Sequence, residues 1–237
     1  MGRFYEVFKT IPAVLPVIHV VNEKQAVENA TIAWEQGSDG VFLINHDVSG
    51  NELLEIYESV ANELPDLWIG INCLDLKPDE VIGKVSQRSL FNLSGIWADN
   101  AMINEHSEDQ PEAEMIDKFR QKSGWKGLYF GGVAFKYQRR VYEIEKAAQI
   151  AAKYIDIVTT SGPATGQAAE IEKIRRMKAA IGDKPLAIAS GITPENVHNY
   201  LGISDCFLVA TGISKDFTNI DPKRLKTLIE NVRKGGD

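Results

Sequence analysis

The chain has 237 residues, 44% of them apolar and 25% charged, enough for one large core or two small ones. Its formal net charge of -7 and pI of about 5.2 argue against a basic nucleic-acid footprint. No apolar run approaches the roughly 20 residues of a membrane span, and the opening M-G-R-F-Y-E-V-F-K-T lacks the apolar core of a secretion signal.

Apolar runs alternate with helix-like segments from end to end. The first twelve residues, carrying Phe4, Tyr5, Val7 and Phe8, are expected to form a short capping helix. Predicted strands follow at Leu15–Val20, Gly40–Ile44, Leu67–Asn72, Ser94–Ala98, Gly127–Gly131, Ile155–Thr159, Leu186–Ala189 and Cys206–Ala210. Between and after them, apolar spacings of three and four predict helices over Gln25–Glu35, Leu53–Leu64, Asp79–Gln87, Glu112–Gln121, Val141–Lys153, Ala168–Ile181, Pro194–Leu201 and Pro222–Val232. Thr193-Pro194 and Asp221-Pro222 each place a capping side chain before a proline at the first helical position. Gly37, Gly124, Gly182 and Gly202 stand where helices should stop. Eight such units with no linker between them fit one (β/α)8 (TIM) barrel spanning 1–237, with an N-terminal helix across its floor. The longest irregular stretch, Asn100–Pro111, would hang over the mouth, either as a mobile lid or as a solvated loop without a role.

In this architecture ligands sit at the C-terminal ends of the strands. Those ends carry His19; Asn45, His46 and Asp47; Asn72 and Cys73; Asp99; Lys136 and Tyr137; Thr160 and Ser161; Ser190 and Gly191; Thr211 and Gly212. His19, Asp99 and Lys136 are the candidates for chemistry. Asp99 is a general base or a loop cap, Lys136 a phosphate partner, an amine nucleophile or a surface charge, and His19 a catalytic or a packed imidazole. Asn45 and Asn72 are further candidate pocket residues.

The last third carries a second signal. S-G-P-A-T-G after strand six, A-S-G-I-T after strand seven and A-T-G-I-S-K after strand eight end apolar runs in small and hydroxyl residues. Such loops leave backbone N–H groups free to face an anion. Thr160, Ser161, Gly162, Thr165, Gly166, Ser190, Gly191, Thr211 and Gly212 are therefore expected to cradle a phosphate, with Lys215 adding charge. The alternative is that these glycines only permit tight strand-to-helix turns.

Other chemistries find less support. His19, His46, Asp99 and His106 lack metal-ligand spacing, so no metal and no cofactor are expected. Two cysteines, Cys73 and Cys206, make no disulfide framework, and a reducing cytoplasm is the expected setting. The expected partner is a small phosphorylated ligand or an inorganic anion, with a homo-oligomer allowed.

The stretches V-T-T-S-G-P-A-T-G, A-S-G-I-T-P-E-N-V and V-A-T-G-I-S-K with the later D-P-K-R, together with His19 and G-I-N at Gly70–Asn72, resemble the BtpA family. The resemblance is strong in the last third and thin in the first half. It implies a phosphate-binding-type barrel but no settled reaction; the family's name comes from a role in photosystem I assembly or stability. Several positions depart from the family pattern. G-G-V-A-F-K-Y keeps only Lys136 of an Asp, His and Lys series, Ile44 replaces a Glu, and Trp97 replaces an Arg. The proline-glycine loop after the first His becomes V-V-N-E-K. Three functions stay open: an enzyme acting on a sugar phosphate or phosphoribosyl compound, a non-catalytic assembly factor, and a phosphoribosyltransferase-type transferase.

Overall fold

A computed structural model describes residues 2–90 and 92–235. Eight parallel strands close into a barrel in chain order: β1 (Ala13–Val20), β2 (Val41–Asn45), β3 (Ile69–Asn72), β4 (Gly95–Ala98), β5 (Leu128–Gly132), β6 (Ile157–Thr160), β7 (Leu186–Ile188) and β8 (Cys206–Val209). β8 returns to β1 with Ala13 opposite Cys206 and Pro16 opposite Val209, so no edge is left unpaired. The fold is the TIM barrel that the alternation predicts.

The pleat sends alternate residues to opposite faces. Leu15, Val17, Phe42, Ile44, Trp97, Leu128, Phe130, Ile157, Ala187 and Leu208 fill the interior, while Ile18, Leu43, Ile71, Ile96, Val158, Ile188 and Phe207 face the helices. Both faces are buried, which is why the strands read as unbroken apolar runs.

The helices are α1 (Arg3–Val7), α2 (Glu23–Glu35), α3 (Gly50–Glu63), α4 (Pro78–Gln87), α5 (Pro111–Ser123), α6 (Ile144–Ala151), α7 (Ile171–Ile181) and α8 (Pro222–Lys234). On α3, Leu53, Leu54, Tyr57 and Val60 are buried, each such side chain contributing about 1.5–3 kcal/mol on removal from water. Asn22 caps α2 by accepting from the Gln25 N–H, and Asp221 caps α8 by accepting from the N–H groups of Lys223 and Arg224. α1 closes the floor. Phe4 and Phe8 are buried, Phe8 packs on Trp68 at a centroid distance of 5.2 Å, and the Tyr5 hydroxyl donates to Asp205 at 3.0 Å.

Three expectations need correction. α6 and α7 begin three residues later than Val141 and Ala168, at Ile144 and Ile171. The helix expected over Pro194–Leu201 is only a short 3-10 segment, Val197–Tyr200. There the Asn196 side chain accepts from the Thr193 N–H at 2.8 Å and donates to the Gly191 carbonyl at 2.7 Å, folding the chain back toward β7. The 100–111 segment does not hang free. Glu105 is fully buried and pairs through both carboxylate oxygens with Arg139, and Gln110 bonds Asn104 and Ser107. No helix among the described residues is long and apolar enough to cross a membrane.

Candidate functional site at the barrel mouth

A cavity of about 250 Å³ opens at the C-terminal end of the barrel. Val17, Ile44, Trp97, Ala189 and Leu208 form its apolar floor and walls; His19, His46, Asp99 and Lys136 supply titratable groups; Thr165, Gly166, Ser190, Gly191 and Thr211 line it from the loops after β6, β7 and β8. His19, Asp99 and Lys136, singled out in the sequence, therefore meet in one space.

His19, the penultimate residue of β1, faces inward and is buried. Its Nδ1 lies 2.8 Å from the Phe217 carbonyl oxygen, which only accepts, so Nδ1 carries the proton and Nε2 keeps its lone pair. Burial lowers the His19 pKa, outweighing that bond, and neighbouring His46 and Lys136 lower it further. The imidazole is thus held neutral as a base. The Phe217 ring covers it at 4.1 Å and 30°, and His46 meets it edge-on at 4.8 Å.

Asp99 follows β4. Burial raises its pKa, while an Asn72 Nδ2–H donated to Oδ1 at 3.0 Å and the charge of Lys136 pull it back. Lys136 follows β5. Burial lowers its pKa and Asp99 opposes that. An acid pushed up and an amine pushed down thus line one cavity, each feeling the other's charge.

Lys136 is delivered by a strained turn. Ala134 and Tyr137 both have positive φ, 48° and 62°, each such non-glycine residue costing of order 1–3 kcal/mol. The turn is held from below. Lys173 Nζ donates to the carbonyls of Ala134 at 2.6 Å and Ser161 at 2.8 Å, and the Lys136 N–H donates to Ser161 Oγ at 2.7 Å.

The remaining expected residues divide. Thr165, Gly166, Ser190, Gly191 and Thr211 line the cavity. Thr160, Ser161 and Gly162 do not line it and instead brace the loops: Thr160 Oγ1 donates to the Ala134 carbonyl and Ser161 Oγ to the Gly162 carbonyl. Asn45 and Asn72 are buried supports. Asn45 donates to Asp75 at 2.7 Å and accepts from the Leu74 N–H, joining the loops after β2 and β3; Asn72 orients Asp99. Lys215 is exposed and does not line the cavity; its N–H donates to the Asn219 carbonyl in a loop tied back to α2 through Gln25 and Asn29.

Gly191 and Gly212 also let the loops approach one another closely. A Cβ on Gly191 (φ 66°) would overlap the backbone of Gln167 and Ala168, and one on Gly212 would overlap the Ile192 carbonyl. These glycines bring the three loops into backbone contact with one another. Ser190 Oγ reinforces this by donating to the carbonyls of Ala164 and Gln167. The Gly191 N–H donates to no group among the described residues and remains free for a ligand.

Phe217 and Leu74 also line the cavity but carry no polar signature that singles them out in the sequence. Among the described residues no cluster of three or more His, Cys, Asp or Glu side chains is arranged to hold a metal ion.

Comparison with solved structures finds the same fold at low identity. Phosphoribosyl anthranilate isomerase from Thermus thermophilus is 16% identical, with a TM-score of 0.65 over 94% of this chain and 98% of that chain. (S)-3-O-geranylgeranylglyceryl phosphate synthase from Thermoplasma acidophilum, in complex with sn-glycerol-1-phosphate, is 15% identical, with a TM-score of 0.68 over 98% and 97%. A native KDPGal structure is 12% identical, with a TM-score of 0.70 over 96% and 98%. No curated protein sequence matches the chain. Residues 112–234, from α5 into α8, match the BtpA family profile, and the chain belongs to the BtpA family.

Proposed function

We propose that this BtpA-family protein is an enzyme that binds a small phosphorylated metabolite, a sugar phosphate or phosphoribosyl compound, at the barrel mouth. The observation that carries the reading is the meeting of Thr165–Gly166, Ser190–Gly191 and Thr211 with His19, Asp99 and Lys136 around one cavity. The free Gly191 N–H and the Thr211 and Thr165 hydroxyls are donors suited to phosphate oxygens. The neutral imidazole, the raised carboxyl and the lowered amine supply acid and base groups facing the bound molecule. Two of the similar folds are named for phosphorylated compounds, which agrees with a phosphate end to the ligand.

The test is thermal stabilisation by inorganic phosphate, sulfate, ribose 5-phosphate and other sugar phosphates, followed by turnover assays on whatever stabilises. Ligand present at 100 times its Kd raises stability by about 2.7 kcal/mol. The absence of any shift with all of them would rule the reading out.

A further inference from the structure

The one lysine among the described residues that line the cavity is Lys136. Its backbone N–H is taken by Ser161 Oγ, while the side chain lines the cavity and feels the charge of Asp99. Its Nζ rests 5.7 Å from the centroid of the Phe135 ring, and Phe135 in turn packs on Trp97. In the closed ring of eight, β5 stands four places from β1, so Lys136 and His19 enter the cavity from opposite sides. Asp99, from neighbouring β4, lies on the Lys136 side.

An ammonium whose only task is to hold an anion gains by staying charged and solvated. Lys136 is instead half-buried, carried on a strained turn over the cavity's apolar floor, where burial opposes its charge more than Asp99 favours it; only the Phe135 ring face, 5.7 Å away, also favours the ammonium. Lys173 and Thr160 donate to the Ala134 carbonyl and Ser161 Oγ accepts from the Lys136 N–H, three hydrogen bonds that hold the turn there. That is the environment of an amine kept available as a nucleophile.

From this we infer that Lys136 forms an imine with the ligand, and that the ligand is a phosphorylated ketone or aldehyde. The inference rests on the phosphate reading of the same cavity. The unprotonated Nζ attacks the carbonyl carbon, forming a C–N bond, and the carbonyl oxygen takes a proton to give a carbinolamine hydroxyl. That hydroxyl leaves as water with a second proton as the nitrogen lone pair forms C=N, so one carbonyl and one ammonium give one iminium and one water. Asp99, whose carboxyl pKa burial pushes up, faces the same cavity as the proton donor, and His19 Nε2 as the acceptor of a proton from the carbon beside the iminium.

Trapping by reduction tests this. The protein is incubated with dihydroxyacetone phosphate, glyceraldehyde 3-phosphate and ribulose 5-phosphate in the presence of cyanoborohydride, then analysed by intact mass and peptide mapping. The expected result is one reduced adduct per chain on Lys136 with at least one probe, suppressed several-fold by inorganic phosphate. Lys136→Arg, which keeps the cation but forms no stable imine, should lose the adduct, keep its melting temperature and still be stabilised by phosphate. The inference is overturned if phosphate stabilises the protein but no probe modifies Lys136, or if labelling is spread over surface lysines and is unchanged in Lys136→Arg. A protein that fails to respond to phosphate at all defeats the phosphate reading instead, so the two failures are told apart.

Discussion

His19 Nδ1 and the Phe217 carbonyl oxygen, 198 positions apart in the chain, lie 2.8 Å from one another. The bond joins the first strand to the loop after the last and fixes which nitrogen of His19 bears the proton. The loop that supplies the carbonyl is itself fastened, because Gln25 Nε2 donates to the Thr218 carbonyl at 2.6 Å and Asn29 Oδ1 accepts from the Ile220 N–H at 2.8 Å. His19 is therefore a base of defined tautomer on a rigid mount.

The first prediction concerns pH. Burial lowers the His19 pKa, so on acidification the unfolded chain, titrating near 6.5, takes up its proton before the folded protein does. The unfolded state then binds more protons, and the His19 contribution to stability falls as pH drops below about 6.5 toward the folded value. Nitrogen NMR of the imidazole should show a midpoint below 6.5 and a neutral ring protonated at Nδ1 at pH 7. A midpoint above 6.5 would contradict this.

The second prediction concerns Asp99. The Asn72 amide stabilises its ionised form through the 3.0 Å bond to Oδ1. Asn72→Leu removes that donor and leaves the burial, so the Asp99 pKa should rise further. Carboxyl carbon NMR measures the shift directly, and Asn72→Asp should differ by setting a second carboxylate beside the first.

Much of this was legible in the sequence, for a physical reason. Strands buried on both faces read as continuous apolar runs, so all eight were found and their ends located His19, Asp99 and Lys136. What stayed hidden were pairings between distant polar groups. Glu105 and Arg139 lie 34 positions apart, and neither residue type shows burial in isolation. Lys215 continues an apparent phosphate loop, yet the chain turns back toward α2 because Asn29 and Gln25 bind it there. Phe217 is a lone aromatic in a polar loop, and nothing local marks it as the roof of His19.

The third prediction uses Gly191. Its positive φ and the close backbone of Gln167 and Ala168 leave no room for a methyl group. Gly191→Ala should destabilise the protein by more than about 1 kcal/mol and weaken phosphate binding by spreading the β6 and β7 loops. Gly37→Ala is the control. Its φ of 82° carries the same backbone strain, but nothing lies within 4 Å of the added Cβ, so denaturation shows a loss while anion affinity stays put.

The fourth prediction concerns the buried carboxylate of Glu105. Hydrogen bonding from Arg139 outweighs burial and lowers its pKa to about 2. Glu105→Gln should cost about 1.5–3 kcal/mol, the range for hydrogen bonds to charged groups, and should speed hydrogen exchange across 102–107. A depressed carboxyl contributes stability above its unfolded pKa near 4.5 and loses it as pH falls toward 2. The gap between wild type and variant should accordingly narrow in urea titrations below pH 4.5.

The last prediction separates the two roles of Phe217. Its carbonyl fixes the His19 tautomer, whereas its ring, 49% exposed, covers His19 and faces the cavity. Phe217→Ala keeps the carbonyl and removes the ring. Because the ring is half exposed, little of its burial energy is at stake, and the stability loss should stay below about 1.5 kcal/mol, the lower end for fully burying such a side chain. His19 gains solvent on the uncovered side, so its desolvation weakens and its pKa should rise toward 6.5. Ligand affinity should fall more than stability does. Imidazole NMR read beside a denaturation curve decides the matter: a His19 pKa that stays where it was would show that the cover comes from His46 and the barrel wall rather than from Phe217.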